Sequence, residues 1–128
     1  GRLMHLVTIA LAGGLGAVAR YSLTGLTHRL TASDFPVGTL LVNVNGFFVF
    51  GFLTPLLAER AHIPEAWRMG VIIGFLGSFT TFSTFGFDTI DLAQNGDWGK
   101  AALNVLASLL LGCCAVLAGL WLAGRVEG

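Results

Sequence analysis

Four apolar runs, each close to the roughly 20 residues that cross a hydrocarbon core of about 30 Å at 1.5 Å rise per residue, account for most of the chain. They cover about Leu3–Leu26, Val37–Ala58, Trp67–Ala93 and Ala101–Ala123. Pro36 and Pro64 stand just ahead of the second and third runs, where a missing N–H costs a helix least. In lipid every backbone polar group has to be satisfied internally, so runs of this length predict helices. The expected fold is an all-α membrane protein with four transmembrane helices, forming a single integral membrane domain over residues 1–128.

Composition agrees: 55% of the 128 residues are hydrophobic and 11% charged, against about 25% charge in soluble domains. The seven basic residues form no run, which excludes the usual footprint for nucleic acid. The first run continues into Arg20 and Tyr21 without a small-residue cleavage site, so it is expected to be kept as a helix. Cys113 and Cys114 are adjacent within an apolar run and read as packing residues.

With four spans, both termini face the same side. Arg2, Arg60, Arg68 and Arg125 fall on that side and Arg29 and Lys100 on the other, a charge bias weak enough for insertion in both orientations. Four helices make a bundle too thin to enclose a conduit along its own axis, so transport requires a second copy. An inverted copy would give two chains the architecture that many transporters build from inverted repeats. Small residues four apart, Gly13 and Ala17, Gly70 and Gly74, and Ala115, Gly119 and Ala123, offer close-contact surfaces for assembly or for packing within one subunit.

Several polar residues lie where lipid would penalise them. Asn43, inside the second run, must face protein or a cavity, because an amide facing hydrocarbon costs several kcal/mol. Thr39, Asn43, Phe47 and Phe50 share one helical stripe, whereas Asn45 points elsewhere and reads as structural. Asn104 and Ser108 form a second stripe that ends at Gly112. Arg20, in the last third of the first run, reads as a structural anchor that snorkels to the interface or pairs with Asp88 or a loop carbonyl.

The third run is the most informative. As one helix, Trp67 to Gln94 would be about 42 Å long, more than the membrane core requires at ordinary tilt. Gly70, Gly74 and Gly77 weaken helical preference, and the hydroxyls of Ser78, Thr80, Thr81, Ser83 and Thr84 can bond their own backbone. A break near Gly77 to Thr81 is expected close to mid-membrane. It would present carbonyls, hydroxyls and helix ends to a cavity. Phe82 and Phe85 share a face beside it, and the positive edge of an aromatic ring can stabilise an anion.

These residues resemble the small bacterial fluoride channels of the Fluc or CrcB family. The resemblance rests on "GGLGAVARY" (13–21), "GTLLVN" (38–43), "GFLGSFTTFSTF" (74–85) and the Asn104, Ser108, Gly112 pattern, and it covers nearly the whole chain. It implies a fluoride-selective channel that exports the ion passively across the bacterial inner membrane and relieves fluoride toxicity. It further implies a dual-topology antiparallel homodimer with two pores. By the same resemblance Asn43, Phe82 and Phe85 line the fluoride path, and Thr39 and Ser108 add polar contacts along it. A structural Na⁺ at the dimer centre would be held by the backbone carbonyls of Gly77 and Thr80 from both subunits, and Arg20 is a family hallmark. This chain departs from the family in carrying Ser78 and Phe79 after Gly77, and Asn104 where a tyrosine is common. Asn104 thereby adds an amide near one pore.

Two other readings compete. A small dual-topology proton-coupled multidrug transporter needs a membrane-embedded carboxylate; the first run has none, and only Asp88 and Asp91 in the third are candidates. The other is an assembly subunit that transports nothing. An enzyme is not expected, since no nucleophile, base and orienter share a plausible pocket.

Overall fold

The computed structural model describes residues 1–60 and 62–127. Its elements follow the apolar runs in order: α1 (Arg2–Thr31), α2 (Val37–Ala58), α3 (Glu65–Met69), a π-helical stretch (Gly70–Leu76), α4 (Gly77–Phe79), α5 (Phe82–Gln94) and α6 (Trp98–Glu127). Four helical stretches are long and apolar enough to cross a membrane, the third of them running from Glu65 to Gln94. The chain is a multi-pass membrane protein, and its third helix is broken.

Helix α1 runs past the apolar segment Leu3–Leu26 and continues to Thr31. Its late hydroxyls stay helical by bonding their own backbone: Thr27 Oγ1 donates to Leu23 O at 2.8 Å and Thr31 Oγ1 to Thr27 O at 2.8 Å. Ala32 ends the helix in the left-handed region at φ 47°, its N–H reaching back to His28 O. Beyond it, Lys100 Nζ donates to both oxygens of Asp34, at 3.1 and 3.0 Å, which ties the connecting loop to the start of α6. The lysine holds the Asp34 carboxyl below its usual range.

Two seams assemble the bundle, and small residues build both. Along the α2–α6 seam, a Cβ on Gly51 would stand 2.5 Å from Val116 O, and one on Gly119 would stand 2.7 Å from Phe52 N. Ala123, on the same side of α6, is fully buried. Along the second seam α1 lies against the π-helical stretch: Gly74 would place a Cβ 2.7 Å from Ile9 O, and Gly70 sits against Thr8. The glycine spacing seen in the sequence is therefore used for packing inside one subunit. Cys113 and Cys114, by contrast, are free thiols on the exposed surface of α6, outside the packing expected for them.

The π-helical stretch has no signature beyond its glycines. Widening the turn by one residue shifts the register of everything after it. The register it sets brings α4 under α1 and puts the break opposite Asn43.

Gly16 is the tightest point of the α1 seam, because any Cβ there would overlap the Phe75 carbonyl. Gly16→Val is expected to destabilise the folded protein by about 1–3 kcal/mol through overpacking. The check is thermal unfolding in detergent, with Gly14→Val as control, since Gly14 faces open space.

Candidate functional site

The third helix comes apart at two residues. Thr80 (φ −82°, ψ 155°) and Thr81 (φ −147°, ψ 116°) are extended, between α4 and α5 and close to the middle of the Glu65–Gln94 span. A two-residue extension in a helix removes i→i−4 hydrogen bonds, and each lost bond leaves a donor and an acceptor to be placed.

Side chains take several of them. The Asn43 side chain, 8% exposed, pairs with the Thr81 peptide like a neighbouring strand: Nδ2 donates to Thr81 O at 3.0 Å, and Thr81 N–H donates to Asn43 Oδ1 at 2.8 Å. The sequence left open whether this amide served an interhelical bond or a cavity. It makes the bond and also lines a cavity. Thr81 Oγ1 then caps α5, accepting from Thr84 N–H at 3.2 Å, and donates to Thr84 Oγ1 at 3.0 Å. Thr80 Oγ1 folds back onto Leu76 O at 3.0 Å.

Arg20 completes the repair. Its Nε donates to Ser78 O at 3.1 Å, so a cation sits at the carbonyl end of α4. The expected partners were Asp88 or a loop carbonyl; the carbonyl observed belongs to the helical segment α4, at the edge of the break.

The carbonyls of residues 77–80 lose their helical donors, those of Gly77 and Thr80 among them. In an unbroken helix Gly77 O would accept from Thr81 N–H and Thr80 O from Thr84 N–H. Here those donors are held by Asn43 Oδ1 and Thr81 Oγ1. Gly77 is exposed on the surface of the subunit, as are Phe82, at 84%, and Ser83.

Two cavities meet at Thr81. The outer one, about 460 Å³, is lined by Arg20, Thr24, His28, Thr39, Thr81 and Thr84 among others. The inner one, about 230 Å³, brings together Asn43, Phe47, Thr81, Phe82, Phe85 and Ser108. Four of the six residues expected along the path, Asn43, Phe82, Phe85 and Ser108, thus line one space. Thr39 opens into the adjoining cavity with Arg20. Asn104 lines neither: it is 2% exposed and donates through Nδ2 to Thr89 Oγ1 at 2.9 Å, joining α6 to α5. Asn45, as its separate face suggested, bonds its own helix at Leu41 O, 2.8 Å away. Phe82 and Phe85 lie with ring centroids 5.7 Å apart at 36°.

Thr81, expected only as one hydroxyl at the break, and Phe47 line the inner cavity without having been expected along the path. A threonine three residues ahead of Thr84, at a helix start, carried the cap signal. Phe47 was visible only as a member of the Asn43 stripe.

A family model described as CrcB-like protein, camphor resistance, matches residues 7–120. The chain belongs to the CrcB family. Among its curated relatives, a protein of Magnetococcus marinus named fluoride-specific ion channel FluC is 45% identical over 123 residues, covering 96% of this chain and 99% of that protein. The Solibacter usitatus protein of the same name is 44% identical, covering 95% and 100%. In Symbiobacterium thermophilum a protein named fluoride-specific ion channel FluC 2 is 46% identical, covering 91% and 95%. The family match spans both α1 and the broken helix, so the elements that build the two cavities lie within the CrcB region.

Replacing Asn43 by Ala orphans the N–H and the C=O of Thr81 together. The expected cost is about 2–4 kcal/mol at so sheltered a position, read as a shift in thermal or denaturant unfolding in detergent. Asn45→Ala, which removes only a bond within its own helix, is expected to stay within about 0.5 kcal/mol.

Proposed function

We propose that this CrcB-family chain is a fluoride-selective ion channel that passes F⁻ passively out of the bacterial cell across its inner membrane and so relieves fluoride toxicity. The observation that carries the reading is the inner cavity, where the Asn43 amide, the Ser108 hydroxyl and the rings of Phe82 and Phe85 converge beside the helix break. It is supported by the curated relatives named fluoride-specific ion channels.

Moving a carboxylate-sized ion from water to a low-dielectric medium costs on the order of 20 kcal/mol, and compact fluoride costs more. Weak donors spread along a path replace part of the water shell and still release the ion. Thr39 and Arg20 in the outer cavity, and Asn43, Ser108 and the ring edges of Phe82 and Phe85 in the inner one, supply such groups. Asn104, bonded to Thr89, acts on the path by holding α5 against α6.

The working unit is an antiparallel homodimer with two pores. Irregular backbone in contact with lipid is not tolerated at membrane depth, yet Gly77, Phe82 and Ser83 at the break are exposed in one subunit. A second, inverted copy over this face would bury the break of each subunit against the other. The Gly77 and Thr80 carbonyls, deprived of helical donors, fit a cation with oxygen ligands, and four of them from two subunits would hold a structural Na⁺. Such an ion would supply a fixed positive field at the dimer centre; Arg20 and Asn43 hold the carbonyl-bearing segment in shape.

The multidrug-transporter reading gains nothing here. Its carboxylate would have to be Asp88 or Asp91, and neither lines the two cavities described.

Liposomes carrying the purified protein are expected to release F⁻ under an imposed potential far faster than Cl⁻. Phe82→Ile is the cleaner variant, because this ring is exposed and holds no part of the break. It should cut fluoride flux at least about tenfold with assembly unchanged. Vesicles that retain their F⁻ as protein-free ones do would sink the channel reading, and crosslinks between parallel copies would sink the antiparallel dimer.

A further inference from the structure

The inner cavity has a third ring. Phe47 rises from α2 one turn beyond Asn43, across from Phe82 and Phe85 on α5, and lines the same space. Its position is set from α6: a Cβ at Gly112 would overlap Cδ2 and Cε2 of the Phe47 ring, so the ring occupies the place where any side chain at 112 would stand. Gly112 is buried while Phe47 remains 40% exposed, which leaves the glycine as the firm side of the ring's seat. The polar stripe of Asn104 and Ser108 ends at Gly112 for this reason: the next turn of α6 makes room for an aromatic ring.

We propose that Phe47, seated on Gly112, is the third aromatic wall of the inner cavity and determines the size of anion admitted there. The inference rests on the channel reading above. A conduit in which three rings from two helices bound about 230 Å³ selects by bore as well as by donor chemistry. Phe47 acts on the ion directly as a specificity-determining wall, and Gly112 is a positioning residue that acts through it. Removing the ring widens the cavity toward larger, more weakly hydrated halides. Filling the seat drives the ring inward.

The test uses the full chain in liposomes, with F⁻ and Cl⁻ efflux measured separately under the same imposed potential. Phe47→Ala is expected to raise the Cl⁻/F⁻ permeability ratio about tenfold, and Phe47→Leu by less. Gly112→Ala is expected to lower F⁻ flux about tenfold, and adding Phe47→Ala to it should restore the flux with relaxed selectivity. If Gly112→Ala fails to assemble, the permeability ratios of Phe47→Ala and Phe47→Leu decide alone. Wild-type selectivity in both of those variants overturns the proposal, as does a double variant that assembles but stays closed. Wild-type protein that passes no F⁻ overturns the channel reading instead, so the two failures are told apart.

Discussion

A helix opened inside a membrane has to find partners for its own peptide groups, and the pairing of Asn43 with Thr81 is what makes the opening tolerable. One side chain supplies both an acceptor and a donor to one peptide unit, at 2.8 and 3.0 Å, as a neighbouring strand would. Arg20 takes the Ser78 carbonyl on one flank, and Thr81 Oγ1 takes the Thr84 N–H on the other. With these three in place, α4 ends at Phe79 and α5 begins at Phe82. The two cavities and the direction of α5 follow from that repair.

The same residues thus hold the break together and line the cavities. Asn43 lines the inner cavity while fastening the break, and Arg20 lines the outer cavity while capping α4. Loss of flux on mutating either therefore mixes two effects, which only a separate stability measurement divides. Phe82, with 84% of its surface open in one subunit, takes no part in these repairing hydrogen bonds.

Much of this was legible in the sequence, because the bilayer imposes strong rules on composition. Four apolar runs gave four spans, and an over-long third run rich in glycine and hydroxyls gave the break. Asn43 was marked by the cost of leaving an amide in lipid. What could not be read is geometric. The Gly70–Leu76 widening is a register choice made by packing against α1, and nothing local dictates it. Asn104 and Ser108 share a stripe four residues apart, yet the first meets Thr89 and the second lines the cavity. Periodicity assigns a face; it does not say which neighbour arrives there.

The Arg20–Ser78 contact spans 58 residues of chain, and so does the bond from Thr8 to Ala66. At synthesis rates of about 5–20 residues per second, the first helix emerges several seconds before the backbone it rests on exists. Through that interval its guanidinium is without the carbonyl it caps in the folded protein. Final seating of the first helix is therefore a late event of biogenesis, timed by the arrival of the third.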